Sequence, residues 1–300
     1  MTIRVTVGST SAASLAGLQA SSSTLASWQQ KLSTGQQISQ PSDDPAGAVR
    51  ALALRGDLKR NAQYARNASD ASAWLSVADT AYGQITDLVQ KVRTLTVQAS
   101  NTGASTGQSA GAIADQIKAI KEAILKLSNT TYNNQPIFGG TTAGGTAFQD
   151  VGGTVKYVGD TGTVTRSIGD KNDVTINQNG TQAFGTPADG STGLFSLLDG
   201  IVNDLTTSGA PSSTALSNID KSINDLTSAR AASGAALARV QSAQTTQATN
   251  KVTIQSNLSD VQDIDLAEVA IQMNTAQVVY QASLQTTANI RQLSLLNFLK

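Results

Sequence analysis

Apolar and small residues recur in steps of three and four from Leu54 to Ala99, through Leu58, Ala62, Ala65, Ala68, Ser72, Leu75, Ala78, Tyr82, Ile85, Val89, Val92 and Leu95. A repeat near 3.5 residues held over that length predicts a long helix with a coiled-coil-like seam, packed mostly within the chain itself. Asp44 and Pro45 signal its start: the carboxylate can cap free amides, and the fixed φ of proline suits a first helical turn. A break rich in Gly, Ser and Thr at 101–111 then precedes a shorter helix, marked by Ile113, Ile117, Ile120, Ile124 and Leu127, expected to fold back on the first. Upstream, Leu15, Leu18, Leu25, Trp28 and Leu32 among Ser and Ala predict an amphipathic helix over 9–33.

From 131 to 193 the pattern changes. Alternating runs TVKYV (154–158), VTRSI (164–168) and DVTIN (173–177) predict strands, and GDTG (159–162) and GDKN (169–172) predict the turns of a small antiparallel meander. Helical spacing returns at Leu194, Leu197, Leu198, Ile201 and Leu205, and after Pro211 at Leu216, Ile219, Ile223, Leu226, Leu237, Val240, Ile254 and Leu258. A last helix is expected from near Asp265, with Glu268 as its capping-box partner, through Leu266, Ala270, Met273, Ala276, Tyr280 and Leu284 to the end.

The fold class that follows is α+β and mainly α: a long antiparallel coiled-coil-like helical bundle built from both chain ends, with a small antiparallel β-rich insert at the tip. Its expected segments are an N-terminal amphipathic helix (1–40), a helical rod (41–130), the insert (131–193), a returning rod (194–262) and a C-terminal helix (263–300). The prolines agree, since none falls in 46–135 or 212–300.

Composition narrows the chemistry. Hydrophobic residues make up 39% of the 300 but aromatics only 4%, which suits helix packing through Ala, Val, Leu and Ile. With 21 basic and 21 acidic residues and no basic concentration, nucleic acid is not an expected partner. Lacking His and Cys, the chain has neither the commonest general base nor thiolate chemistry. No apolar run reaches the roughly 20 residues that cross a bilayer, and no cleavable signal is expected near Arg4.

Individual polar groups read as structural. Asp43 and Asp44, adjacent carboxylates before a proline, suit a helix cap better than catalysis or metal binding. Asp160, Asp170 and Asp173 suit turns, because Val174 interrupts a calcium-loop spacing. Gly139, Gly140, Gly144 and Gly145 are followed by no Lys-Ser or Lys-Thr pair, so they are loop glycines rather than a phosphate cradle. The two glutamates, Glu122 and Glu268, lie on separate helices, and the Asn-x-Ser/Thr matches at Asn67 and Asn129 carry little weight. No catalytic residue, cofactor or metal site is expected.

The chain ends are different. Ile290, Leu293, Leu295, Leu296, Phe298 and Leu299 form a dense apolar terminus, which on an isolated chain marks an interaction surface. With Leu25, Trp28, Leu32 and Leu284 they are the candidate assembly interface, packed helix to helix between subunits.

Two stretches, KLSTGQQISQPSDDPAGAVRA (31–51) and VVYQASLQTTANIRQLSLLNFL (278–299), resemble the flagellin superfamily. Within it, PSDDPAGA (41–48), YNNQPIFGG (132–140) and the terminal SLLNFL look more like the hook-associated junction protein than like filament flagellin. The resemblance implies a structural, non-enzymatic flagellar subunit whose terminal helices pair in an inner tube. It implies self-association in a layer between a neighbouring hook-associated junction protein and flagellin. It also implies passage through the flagellar export apparatus, with an export chaperone, to an extracellular position without a cleavable signal. Two other readings stand beside it: a filament flagellin, and an adhesive or carbohydrate-binding module presenting Tyr157 and Phe148.

Overall fold

The computed structural model describes residues 7–101, 107–178, 180–185 and 193–298, with the backbone alone at 7, 8, 10, 107, 108 and 291–298. Helix α1 spans Val7–Thr34, α2 Pro45–Asn101 and α3 Gly107–Ser128. Strands β1 (Thr131–Tyr132), β2 (Gln135–Pro136), β3 (Phe148–Val151), β4 (Thr154–Tyr157), β5 (Thr165–Gly169) and β6 (Asn172–Thr175) follow. Helices α4 (Gly180–Phe184), α5 (Leu194–Thr207), α6 (Ala215–Gln262) and α7 (Leu266–Phe298) complete the chain.

The expected start signals operate. Asp44 Oδ1 accepts the Ala46 amide at 3.0 Å, and the Asp44 carbonyl accepts the Ala48 amide at 2.8 Å, so the cap and Pro45 set the first turn of α2. Asp43 acts separately: its Oδ2 accepts the Ser39 and Gln40 amides and the Ser39 hydroxyl, closing the loop before the helix. At the start of α7, Asp265 Oδ1 takes the Ala267 and Glu268 amides as a cap, but the capping box expected with Glu268 is replaced by another bond: its carboxylate accepts from Gln272 one turn on.

Two compact units result, one of residues 1–60 with 250–300 and one of 61–249. In the second, α2 and α6 run antiparallel. Asn61 faces Gln247, Asp79 pairs with Arg230 at 2.7 Å and Asp220 with Arg93 at 2.7 Å, one register throughout. The two ion pairs are half exposed, so they report the register more than they stabilise it. The stabilising burial is apolar: Trp74, Leu75, Tyr82, Ile85 and Val89 of α2 share one core with Ile117 and Ile124 of α3, Leu198 and Ile201 of α5, and Ile219, Leu226 and Val240 of α6. Trp74, fully buried, was absent from the expected seam, and at its N-terminal end the buried residue is Asn61 rather than its exposed neighbour Ala62. Asn61 is tolerated because it donates to Gln247, which in turn donates to the Ile168 carbonyl at 2.9 Å.

The insert is small and antiparallel but is not a meander. It forms three separate two-stranded ribbons, β1 with β2, β3 with β4, and β5 with β6. GDKN does turn β5 into β6, with Lys171 at φ 53°. GDTG connects β4 to β5 but does not fold them into a hairpin, because Asp160 is engaged elsewhere: its carboxylate accepts the Thr141 amide at 2.7 Å, the Thr141 hydroxyl at 2.6 Å and the Gly162 amide at 2.8 Å. These bonds hold Asp160 well below the usual carboxylate range, at about 2, the Thr141 hydroxyl contributing most. Strand β4 pairs instead with β3 across Gly152 and Gly153, at φ 65° and 88°, a two-residue turn whose twist only such residues supply cheaply.

The insert's place is also more specific than the tip that chain order suggests. Ribbon β5–β6 lies back along α2 and α6, where Asn67 donates to the Ser167 carbonyl at 2.7 Å and Arg166 pairs with Asp70 at 2.8 Å. Asn129, at the end of α3, holds β3 by exchanging two 2.8 Å bonds with the backbone of Phe148.

Candidate assembly interface

Only Ala51, Val269 and Ala276 among the buried apolar side chains of the described residues belong to the first unit; all the others form the core of the second. Exposed large apolar side chains show the opposite distribution. Leu15, Val49, Leu52, Val252, Leu266, Ile271, Val278, Val279 and Leu284 lie in the first unit, against Val151 and Val158 in the second. Apolar surface of this kind is the signature of an interaction face.

The first unit's internal packing is a narrow seam. Along α1 the half-buried Ser11, Ser14, Leu18, Ser21, Leu25, Trp28 and Leu32 follow a three-four alternation; along α7 the seam runs through the buried Val269 and Ala276 and the half-buried Met273, Tyr280, Ser283, Thr287 and Ile290. The helices pack closely and antiparallel, because the chain segments joining them to their neighbours are themselves paired. Gln37 donates to the Gln262 carbonyl at 2.7 Å and Ile264 to the Gly35 carbonyl at 3.2 Å, clamping the end of α1 to the start of α7. So many serines and threonines on the seam leave it shallow, and a groove of about 200 Å³ opens between Ser21, Thr24 and Trp28 on one side and Gln272, Thr275, Ala276 and Val279 on the other.

The expected interface residues fall in three groups. Leu25, Trp28 and Leu32 occupy the seam and are half-buried within the chain, with the Lys31 ammonium 4.9 Å from the Trp28 ring centre. Ile290 continues that seam, while Leu284 stands off it, 43% exposed. The side chains of Leu293, Leu295, Leu296 and Phe298, and Leu299 altogether, lie outside the described residues. Missed at first were Val49, Leu52, Ile271 and Val278, each at least 64% exposed. Their signal was present as apolar residues on the face opposite the repeat, which a search for the seam passes over.

The polar and aromatic groups that the sequence singled out have structural partners. Asp160 spends its oxygens on amide and hydroxyl donors, and among the described residues no three acidic side chains gather as metal ligands. Phe148 is buried against Phe184, Phe195 and Tyr157, and the Tyr157 hydroxyl donates to the carbonyls of Phe138 and Asp160. Phe148 is therefore core, and Tyr157 is half-buried with its hydroxyl committed to the backbone. Among the described residues no helix is long and apolar enough to cross a membrane.

Comparison with known proteins gives the same direction. Residues 7–143 match the bacterial flagellin N-terminal helical region, and residues 216–299 the bacterial flagellin C-terminal helical region. Flagellar hook-associated protein 3 of Escherichia coli is 29% identical over 194 residues, 61% of this chain and 60% of that protein. Its counterpart in Salmonella typhimurium is 24% identical over 288 residues, 89% of this chain and 90% of the other. The crystal structure of Xanthomonas campestris FlgL shares the fold, with a TM-score of 0.60 at 18% identity over 69% of this chain and 99% of that one. The matched regions take in both terminal helices, both clamped segments and the paired stretches of α2 and α6, and the chain belongs to the bacterial flagellin family.

Proposed function

We propose that this protein is a hook-filament junction subunit, forming a layer between a hook-associated protein and flagellin by helix packing of its terminal segments. Membership of the flagellin family gives it a structural role in the flagellum, outside the cell, in assembly with other flagellar components. The observation that carries the reading is the inverted first unit, with its few buried and many exposed apolar side chains. Such a unit gains its missing burial from neighbours of the same kind. The junction position is favoured by the length of the match to Salmonella hook-associated protein 3, which runs through the insert as well as the termini.

In this reading segments 1–40 and 263–300 pair in an inner tube, and Leu25, Trp28, Leu32, Leu284, Ile290, Leu293, Leu295, Leu296, Phe298 and Leu299 meet neighbouring subunits. The chain reaches its place through the flagellar export apparatus, held beforehand by an export chaperone. Electron microscopy of the full chain and of a form lacking 1–40 and 265–300, each mixed with a hook-associated protein and flagellin, tests it. A limited layer from the full chain and none from the truncation is expected. Long filaments of the chain alone would make it a filament flagellin, and a truncated form that still assembles would overturn both.

A further inference from the structure

We propose that the outward face of α2 in one copy receives the outward face of α7 from a second copy, antiparallel, with Gly56 as the hole for Ile271. The pairing rests on the reading of the chain as a self-associating subunit and names the surfaces that meet. By helical periodicity Val49, Leu52, Gly56, Lys59 and Arg60 share one face of α2, opposite the inward positions Ala51, Leu54 and Leu58. Val49 and Leu52 are each 70% exposed, and a side chain added at Gly56 would meet nothing within 4 Å, so the face is open and notched. On α7, Glu268, Ile271 and Val278 share the face opposite the seam of Val269, Met273 and Ala276, with Ile271 and Val278 65% and 64% exposed.

Charge selects the partner and the direction. From Val252 to Ile290 the chain has four acidic residues, Asp260, Asp263, Asp265 and Glu268, and no basic one. Between Pro45 and Arg60 it has Arg50, Arg55, Lys59 and Arg60 against Asp57 alone, which Arg60 engages. The basic end of the α2 stripe follows its apolar residues, whereas the acidic end of the α7 stripe precedes them. Only an antiparallel alignment sets apolar against apolar and basic against acidic at once. One register then sets Lys59 by Glu268, Gly56 by Ile271 and Val49 by Val278 together. The two stripes are different surfaces, so each copy offers one to each neighbour and the contact propagates head to tail.

The test uses the full chain, which has no native cysteine. Chains of different mass carrying Val49→Cys or Val278→Cys are mixed and oxidised, with Val49→Cys plus Val252→Cys as control. A mixed disulfide dimer well above control is expected. Gly56→Trp in the first chain should keep the monomer's helix content, since tryptophan is the better helix former, yet remove the cross-link. Lys59→Glu should lower its yield roughly two- to fivefold, the range of an exposed ion pair, and Glu268→Lys in the other chain should restore it. If light scattering shows self-association but the Val49–Val278 link stays at control level, or Gly56→Trp leaves it unchanged, this pairing is wrong while the subunit reading stands. A chain that neither scatters as an oligomer nor cross-links overturns both.

Discussion

Truncating Phe148 to alanine tests whether the insert aromatics are core. The ring is 4% exposed, with centroids 5.2 Å from Tyr157, 5.0 Å from Phe184 and 5.5 Å from Phe195. Its loss removes the transfer free energy of a benzyl group and leaves a cavity among rings that cannot all close in, about 3–5 kcal/mol in total. With a urea dependence of about 2 kcal/mol per molar, the midpoint falls by about 2 M. Trp74 reports it, being 1% exposed in the same core, once Trp28→Phe has silenced the other tryptophan. A midpoint shift below about 0.5 M, or about 1 kcal/mol, would show that Phe148 is not packed as described.

Three further outcomes are expected. In dilute protein, amides of α1 and of α7 up to Ile290 should exchange with deuterium far faster than those of α2 between Ala68 and Leu95, because the first unit buries little beyond Ala51, Val269 and Ala276; equal protection would refute this. The Asp160 carboxylate, lowered in the folded chain to about 2, contributes stability that is complete above its unfolded value near 3.8 and is lost as pH falls toward 2. Thr141 and Gly162 amide shifts should accordingly titrate with a midpoint near 2, and Asp160→Asn should abolish the titration; a midpoint near 3.8 counts against the hydrogen-bonded loop. Gly153→Ala should cost about 1 kcal/mol in thermal or urea melts, since φ 88° disfavours a side chain; no loss would mean the β3–β4 turn is otherwise built.

The clearest departures from the sequence reading are local competitions that periodicity cannot weigh. GDTG has the composition of a hairpin turn, and only the approach of Thr141 diverts Asp160 from that role. Strand β3, FQDV, has a single deeply buried residue and so no alternating signal; it exists because Asn129, 19 residues earlier, bonds both backbone groups of Phe148. The expected seam ran through Ala62, yet its neighbour Asn61 is the buried residue, because Gln247, itself bonded to the Ile168 carbonyl, satisfies it.

By itself the sequence determined the long helices, their caps at Asp44 and Asp265, the antiparallel return of the chain and the family, but not the short α4 within the insert. These depend on spacings of three and four residues and on side chains that act within one turn. Tertiary structure alone decided which apolar residues were spent inside and which were left over. Leu58 and Leu52 are the same residue type on one helix, yet the first is half-buried and the second is 70% exposed, a difference set by what stands opposite each. The uneven division of burial between the two units, on which the assembly role rests, appears only when distant segments are brought together, because hydrophobic free energy follows the area actually covered.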